Sequence, residues 1–189
     1  NAFTSLEYTG YYAKTQSKQF DKILDIVSDL YLNPVFEPAE INKERGVIIE
    51  EINHIEDTPI RKVWDVFLDA LYGDQPAGWD IIGRKEVIQK LNREDFLKYR
   101  KEHCVAKGTL VVMSGNFIEK EILPKIQNTF SKIISEQKFG KIKTRESQNK
   151  PEVLLKFKQT DQTHLILGVR AFDIFNERRY ALQVLSDIL

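Results

Sequence analysis

The stretch from Ile41 to Ile55, INKERGVIIEEINHI, constrains this chain more than any other. Wound at about 100° per residue, it places Ile41, Ile48, Ile52 and Ile55 on one face, which predicts an amphipathic helix turned toward a core. Glu44 and Glu51 fall within the same arc, about two turns apart, so their side chains stack on one side. Glu50 points nearly opposite. Carboxylates on an apolar face must be paired, hydrogen-bonded or bound to a metal. Spacing leaves the receiver open: water reached from the helix edge, a structural ion pair with Arg45 or Arg61, or a functional carboxylate site.

Composition excludes several classes of partner. Lys plus Arg number 28 and Asp plus Glu number 28, so a net charge of zero gives no electrostatic basis for binding nucleic acid or an anionic membrane. No apolar run approaches the roughly 18 residues of a membrane span. A soluble protein is expected, with its compartment left open by these residues. Cys104 is the single cysteine, which rules out an internal disulfide. At 189 residues the chain suffices for one domain plus part of another. It starts at Asn1 in a strand-like run and stops at Leu189 inside a helical pattern, so a segment of a longer polypeptide is expected.

Taken in order, residues 1–14 are rich in Thr, Tyr and Phe with a break at Leu6–Glu7, which predicts a β-hairpin. An open edge there suits pairing with an extended peptide. Helical spacing of Phe20, Ile23, Leu24, Val27, Leu30 and Tyr31 ends at Asn33–Pro34. The acid-bearing helix starts near Pro38 and is interrupted by Pro59. A further stripe, Ile60, Val63, Trp64, Phe67, Leu68 and Leu71, runs to Gly73, with Trp64 expected in the core. Trp79, in the loop that follows, is expected to anchor it.

A short helix over 85–90 precedes a second that starts at Asn92 and Asp95. Residues 109–113, TLVVM, predict a strand. Asn116 and Glu119 resemble a capping box for a helix carrying Ile122, Ile126, Phe130 and Ile133. Residues 135–151 are polar and basic and read as a linker between a first domain, 1–134, and the start of a second, 152–189. Strands are expected over 153–157 and 164–169, then a helix from about Asn176.

The three histidines carry little signal. His54 lies toward the flank of its helix, His103 beside Cys104 is a weak metal pattern, and His164 falls in a strand. Neither H-x-x-E-H nor H-E-x-x-H occurs, nor C-x-x-C, G-x-S-x-G or a phosphate-binding glycine loop. Spacing and composition alone therefore reach an α+β protein with an unexplained carboxylate pair.

Several blocks taken together go further. NAFTSLEYTGYYA at 1–13, LNPVF at 32–36, ERGVIIEEI at 44–52, GDQPAGWDIIGRKEVI at 73–88, VVMSGNF at 111–117 and QTHLILG at 162–168 resemble the pitrilysin–insulinase family, in that family's order. This family includes the mitochondrial processing peptidases, and the chain looks most similar to its short bacterial and processing-peptidase branch.

The resemblance implies a mostly antiparallel sheet covered by helices in two layers, within a clamshell of two homologous halves. It implies a zinc metalloendopeptidase acting on peptides, unfolded polypeptides or presequences, with a dimer or partner half-molecule completing it. Glu51 matches the family's third zinc ligand. Glu44 matches a second acid of the catalytic site, and Asn1–Ala2–Phe3 match the edge that aligns substrate. The H-x-x-E-H helix of the family is absent from these residues and is expected just upstream of Asn1. The alternative implied is an inactive family member that serves as a partner subunit or binds peptide without cutting it.

Overall fold

Hydrophobic spacing of the helical kind governs most of this chain, and helix dominates the result. The computed structural model describes residues 1–135 and 140–188. The expected linker over 135–151 lies partly outside the described residues, at 136–139. The chain divides into two compact units, Asn1–Ile52 with Ile81–Lys143 and Asn53–Asp80 with Thr144–Leu189.

The first unit opens with the expected hairpin. Strand β1, Ala2–Thr4, pairs antiparallel with β2, Thr9–Tyr11, in the register Ala2↔Tyr11, Phe3↔Gly10, Thr4↔Thr9. The bond from Ser5 N to Tyr8 O, 2.8 Å, closes the turn at the predicted break. Glycine at position 10 is required by contact: a Cβ there would stand 2.4 Å from the Phe3 ring. Helix α1, Phe20–Leu32, follows a single 3-10 turn. Its Tyr31 packs between the rings of Tyr11 and Phe130, 6.1 and 6.5 Å away, and its hydroxyl lies 2.6 Å from Thr109 Oγ1.

Phe36 takes a left-handed backbone, φ 54°, a conformation that costs a non-glycine residue about 1 kcal/mol. Its ring stacks on Phe96 at 5.5 Å, a contact able to offset that strain. Helix α2, Pro38–Glu56, begins with proline in the first turn, where the missing N–H is no loss.

Helix α3 spans Pro59–Tyr72 and stops at Gly73, whose φ of 64° suits glycine. It belongs to the second unit. Helix α4 is the single turn Lys85–Ile88, and α5 runs Arg93–His103. The Asn92–Asp95 pair forms a complete capping box at the start of α5: Asn92 Oδ1 accepts from Asp95 N at 3.3 Å, and Asn92 N donates to Asp95 Oδ2 at 2.9 Å. Helix α6 spans Glu119–Phe130. Its start departs from expectation, because the N-cap is Ile118 and no side chain caps it. Asn116 stands too far upstream of the first helical residue to reach the free N–H groups. Ile133 lies beyond the end of α6.

Among the described residues, the buried apolar side chains are Ile52, Val105 and Ile122, all in the first unit. Each contributes about 1.5–3 kcal/mol by leaving water. In the second unit, the chain from Thr144 is strapped to α3 by charged and polar side chains. Arg170 Nε donates to Leu71 O at 3.0 Å and its guanidinium lies over the Tyr72 ring. Gln75 bridges Tyr72 O at 2.6 Å and Arg145 N at 2.8 Å. Helix α7, Arg179–Ile188, closes the description.

Three expected strands are not strands here. Residues 109–113, 153–157 and 164–169 have no regular secondary structure and join no ladder among the described residues. Leu110, Phe157 and Leu167 are 85%, 94% and 95% exposed. Exposed in this way, these side chains bring none of the burial that would offset the ordering of a ladder. The chain is thus helical with an antiparallel hairpin, an α+β composition whose sheet is small. Trp64 also departs from expectation: it is exposed, meeting Phe67 edge-on. Trp79 is exposed as well, but its Nε1 donates to Asp74 Oδ1 at 2.8 Å within the loop it was expected to anchor. No described helix is long and apolar enough to cross a membrane.

Candidate active site

Helix α2 presents the acids as its sequence dictates. Both Glu44 and Glu51 are exposed, on the flank of the stripe whose centre is the buried Ile52. Among the described residues neither carboxylate has a hydrogen-bond or ion-pair partner. The structural ion pair with Arg45 therefore does not form. Arg45 turns the other way: its Nε donates to Ile88 O at 3.1 Å, and its two terminal nitrogens donate to Asn42 Oδ1 and Leu91 O. Arg45 was read from the sequence as a partner for the acids, and its bond to backbone across 43 residues left no trace in the local pattern.

The hairpin carries the other residues that the sequence singles out, Asn1, Ala2 and Phe3. Asn1 and Tyr12 exchange backbone bonds, Asn1 N to Tyr12 O at 3.0 Å and Tyr12 N to Asn1 O at 2.9 Å. Ala2 and Phe3 are exposed on β1, which pairs with β2 alone among the described residues. One edge of β1 is therefore open to an extended chain. No hydrogen bond joins the hairpin to either acid.

The donor chemistry fits part of a zinc site. An unpaired carboxylate on a rigid helix suits one zinc–oxygen bond, and a neighbouring acid suits its support. The rest of a ligand set is not here: among the described residues, no three His, Cys, Asp or Glu side chains gather closely enough to hold a metal ion. Of the histidines, His54 is exposed, and the ring of His103 packs at 4.4 Å on Tyr99.

At the end of α2 lies a stronger electrostatic feature, which the sequence reading did not single out. Glu56 meets Lys156 at 2.6 Å and Lys62 at 2.8 Å, and these hydrogen bonds hold its carboxyl down at about 2. Lys62 also faces Asp65 at 3.3 Å and Asp80 at 3.4 Å. Burial works against its charge, but the three acids outweigh it and raise its pKa. Near this network α3 and the segments 153–157 and 164–168 enclose a cavity of about 530 Å³.

The described residues thus offer an acid-bearing helix and a hairpin with an open edge. Comparison with known families makes this specific. The family described as Insulinase (Peptidase family M16) matches residues 1–85, and the one described as Peptidase M16 inactive domain matches 90–189. The chain belongs to peptidase family M16, the insulinase family.

Among its relatives is a protein named as the uncharacterized zinc protease YmxG of Bacillus subtilis, 31% identical over all of this chain and 46% of its own length. Another, named as an uncharacterized zinc protease of Rickettsia bellii, is 33% identical over all of this chain and 45% of its own. A third, from Mycobacterium leprae, carries a zinc-protease name as well, at 31% identity and 43% of its length. The chain thus spans about half the length of the curated relatives it matches.

Proposed function

We propose that the full-length protein is a zinc-dependent metalloendopeptidase that hydrolyses peptides or unfolded polypeptides. The observation that carries this reading is the unpaired state of Glu44 and Glu51 on one flank of α2. Both acids, with Asn1, Ala2 and Phe3, fall within the residues that match the insulinase description. Relatives bearing zinc-protease names support the metal.

In this reading Glu51 is a zinc ligand and Glu44 a supporting acid of the catalytic site. The metal, once held with ligands from outside these residues, supplies Lewis acidity and an activated water. The β1 edge adds substrate as a further strand, so main-chain bonds set affinity independently of substrate sequence. The segments at 109–113, 153–157 and 164–169 become strands of an antiparallel sheet covered by helices in two layers. A dimer or a second half-molecule completes the enzyme, in a soluble compartment such as bacterial cytoplasm or an organelle matrix.

The alternative is an inactive member that binds peptide as a partner subunit; the match of 90–189 to a domain described as inactive concerns that segment alone, since relatives named zinc proteases align over it too. A quenched fluorescent peptide separates the two. The enzyme reading expects hydrolysis by the full-length protein, loss on adding a zinc chelator, and recovery on adding zinc. Binding of the peptide without any hydrolysis in the presence of zinc supports the second reading instead.

A further inference from the structure

The apolar stripe of α2 packs one face of the helix. Ile52 is buried and Ile41, Ile48 and Ile55 are half-buried, while off the stripe Val47 is exposed and a Cβ on Gly46 would meet nothing within 4 Å. Such packing on one face resists a roll about the axis, and directional bonds add to that resistance. Arg45 opposes that roll. Its guanidinium reaches Ile88 O, at the end of α4, and Leu91 O, the last carbonyl before the Asn92 cap of α5. That joint is itself fixed by the capping box, so the arginine grips a rigid object. A third bond, to Asn42 Oδ1 one turn back, holds the guanidinium plane.

On the helical wheel Glu44 and Glu51 both lie roughly 110° from Arg45, on the same side, with the apolar stripe between. Gripping one edge of the stripe therefore sets the direction of the acids at the other. A roll of about 20° moves a carboxylate standing about 6 Å from the helix axis by about 2 Å, the length of a zinc–oxygen bond. We infer that Arg45 is a positioning residue, whose bonds to the α4–α5 joint set the rotation of α2 and so aim Glu44 and Glu51. This rests on the reading of Glu51 as a zinc ligand. Lysine cannot replace it, since a single ammonium cannot span two carbonyls and an amide with a planar fork.

The test is zinc affinity of the full-length protein by chelator competition, beside the melting temperature of the zinc-free form. Arg45→Lys keeps the charge and is the primary variant, with Arg45→Ala the more severe one. Arg100→Lys is the control, because Arg100 also donates to a backbone carbonyl, that of Leu32, but makes no recorded bond to α2.

Arg45→Lys is expected to weaken zinc binding about tenfold, as loss of outer-shell support does elsewhere. Arg100→Lys should lower the melting temperature comparably and leave zinc affinity within about twofold, far below that outer-shell effect. Unchanged zinc affinity in Arg45→Lys overturns the inference, and so does an equal loss in both variants, which reports general loosening. If Glu51→Gln leaves zinc binding of the full-length protein intact, the metal reading itself falls, and the role of Arg45 falls with it.

Discussion

Lys62 Nζ stands 2.8 Å from the carboxylate of Glu56, tying the last residue of α2 to the first turns of α3 across the bend at Asp57–Thr58. The lysine side chain is 16% exposed and the glutamate 36%. Asp65 and Asp80 crowd the same ammonium, so its removal leaves three acids facing one another. Lys62→Met should therefore lower stability by about 1–2 kcal/mol, measured by urea unfolding at neutral pH.

The same pair sets an acid dependence. The carboxyl of Glu56 lies at about 2 when folded, below the ordinary value of about 4.3 for an unfolded glutamate. A depressed carboxylate stabilises the fold above its unfolded value, and that contribution disappears as pH falls from about 4.3 toward 2. Because this side chain is partly open to water, screening leaves about 1 kcal/mol of it. Glu56→Gln should lower stability by that amount at pH 7 and flatten the acid limb in this window. The raised pKa of Lys62 acts at the opposite end, where its stabilisation is present below about 10.4 and lost as pH climbs through the folded value.

Asn92 caps α5 with both reciprocal bonds in place. Asn92→Ala should cost about 1 kcal/mol, read as a drop in the urea midpoint with an unchanged slope. An unchanged midpoint would mean that water satisfies those N–H groups equally well.

Gly10 lies under the Phe3 ring, where a Cβ would approach to 2.4 Å. Gly10→Val must swing that ring off its site on β1. If the β1 edge aligns substrate, KM for peptides should rise several-fold with kcat nearly unchanged, the pattern of lost uniform binding. An unaltered KM would detach Phe3 from substrate binding.

The sequence predicts helices well where the stripe, the stop and the cap agree. Phe20–Leu32 ends at Asn33, α2 starts at Pro38 and α3 ends at Gly73, each set by local chemistry. Asn92 succeeds as a cap where Asn116 fails, because a cap depends on where the first helical turn settles, and Ile118 takes that place for α6. Strands were harder to foresee. TLVVM at 109–113 has strand composition, but pairing depends on a partner that local pattern does not encode, and here Leu110 faces water. The acids of the candidate site were visible from helical spacing. The grip of Arg45 on Leu91, 46 residues away, was not, since a guanidinium on backbone carbonyls leaves no sequence periodicity.

Glu44 and Glu51 can be separated by substitution. Glu51→Gln in the full-length protein should remove most of the zinc and the activity, whereas Glu44→Gln should reduce activity while retaining more of the metal. Full zinc and full rate in both variants would contradict the assignment of the site.

The most direct measurement is the zinc content of the full-length protein by elemental analysis, after dialysis against a weak chelator, with Glu51→Gln beside it. The account predicts about one zinc per chain, as in a mononuclear catalytic site, and little in the variant. A folded protein that holds no zinc, or a variant that holds as much as the parent, would contradict it.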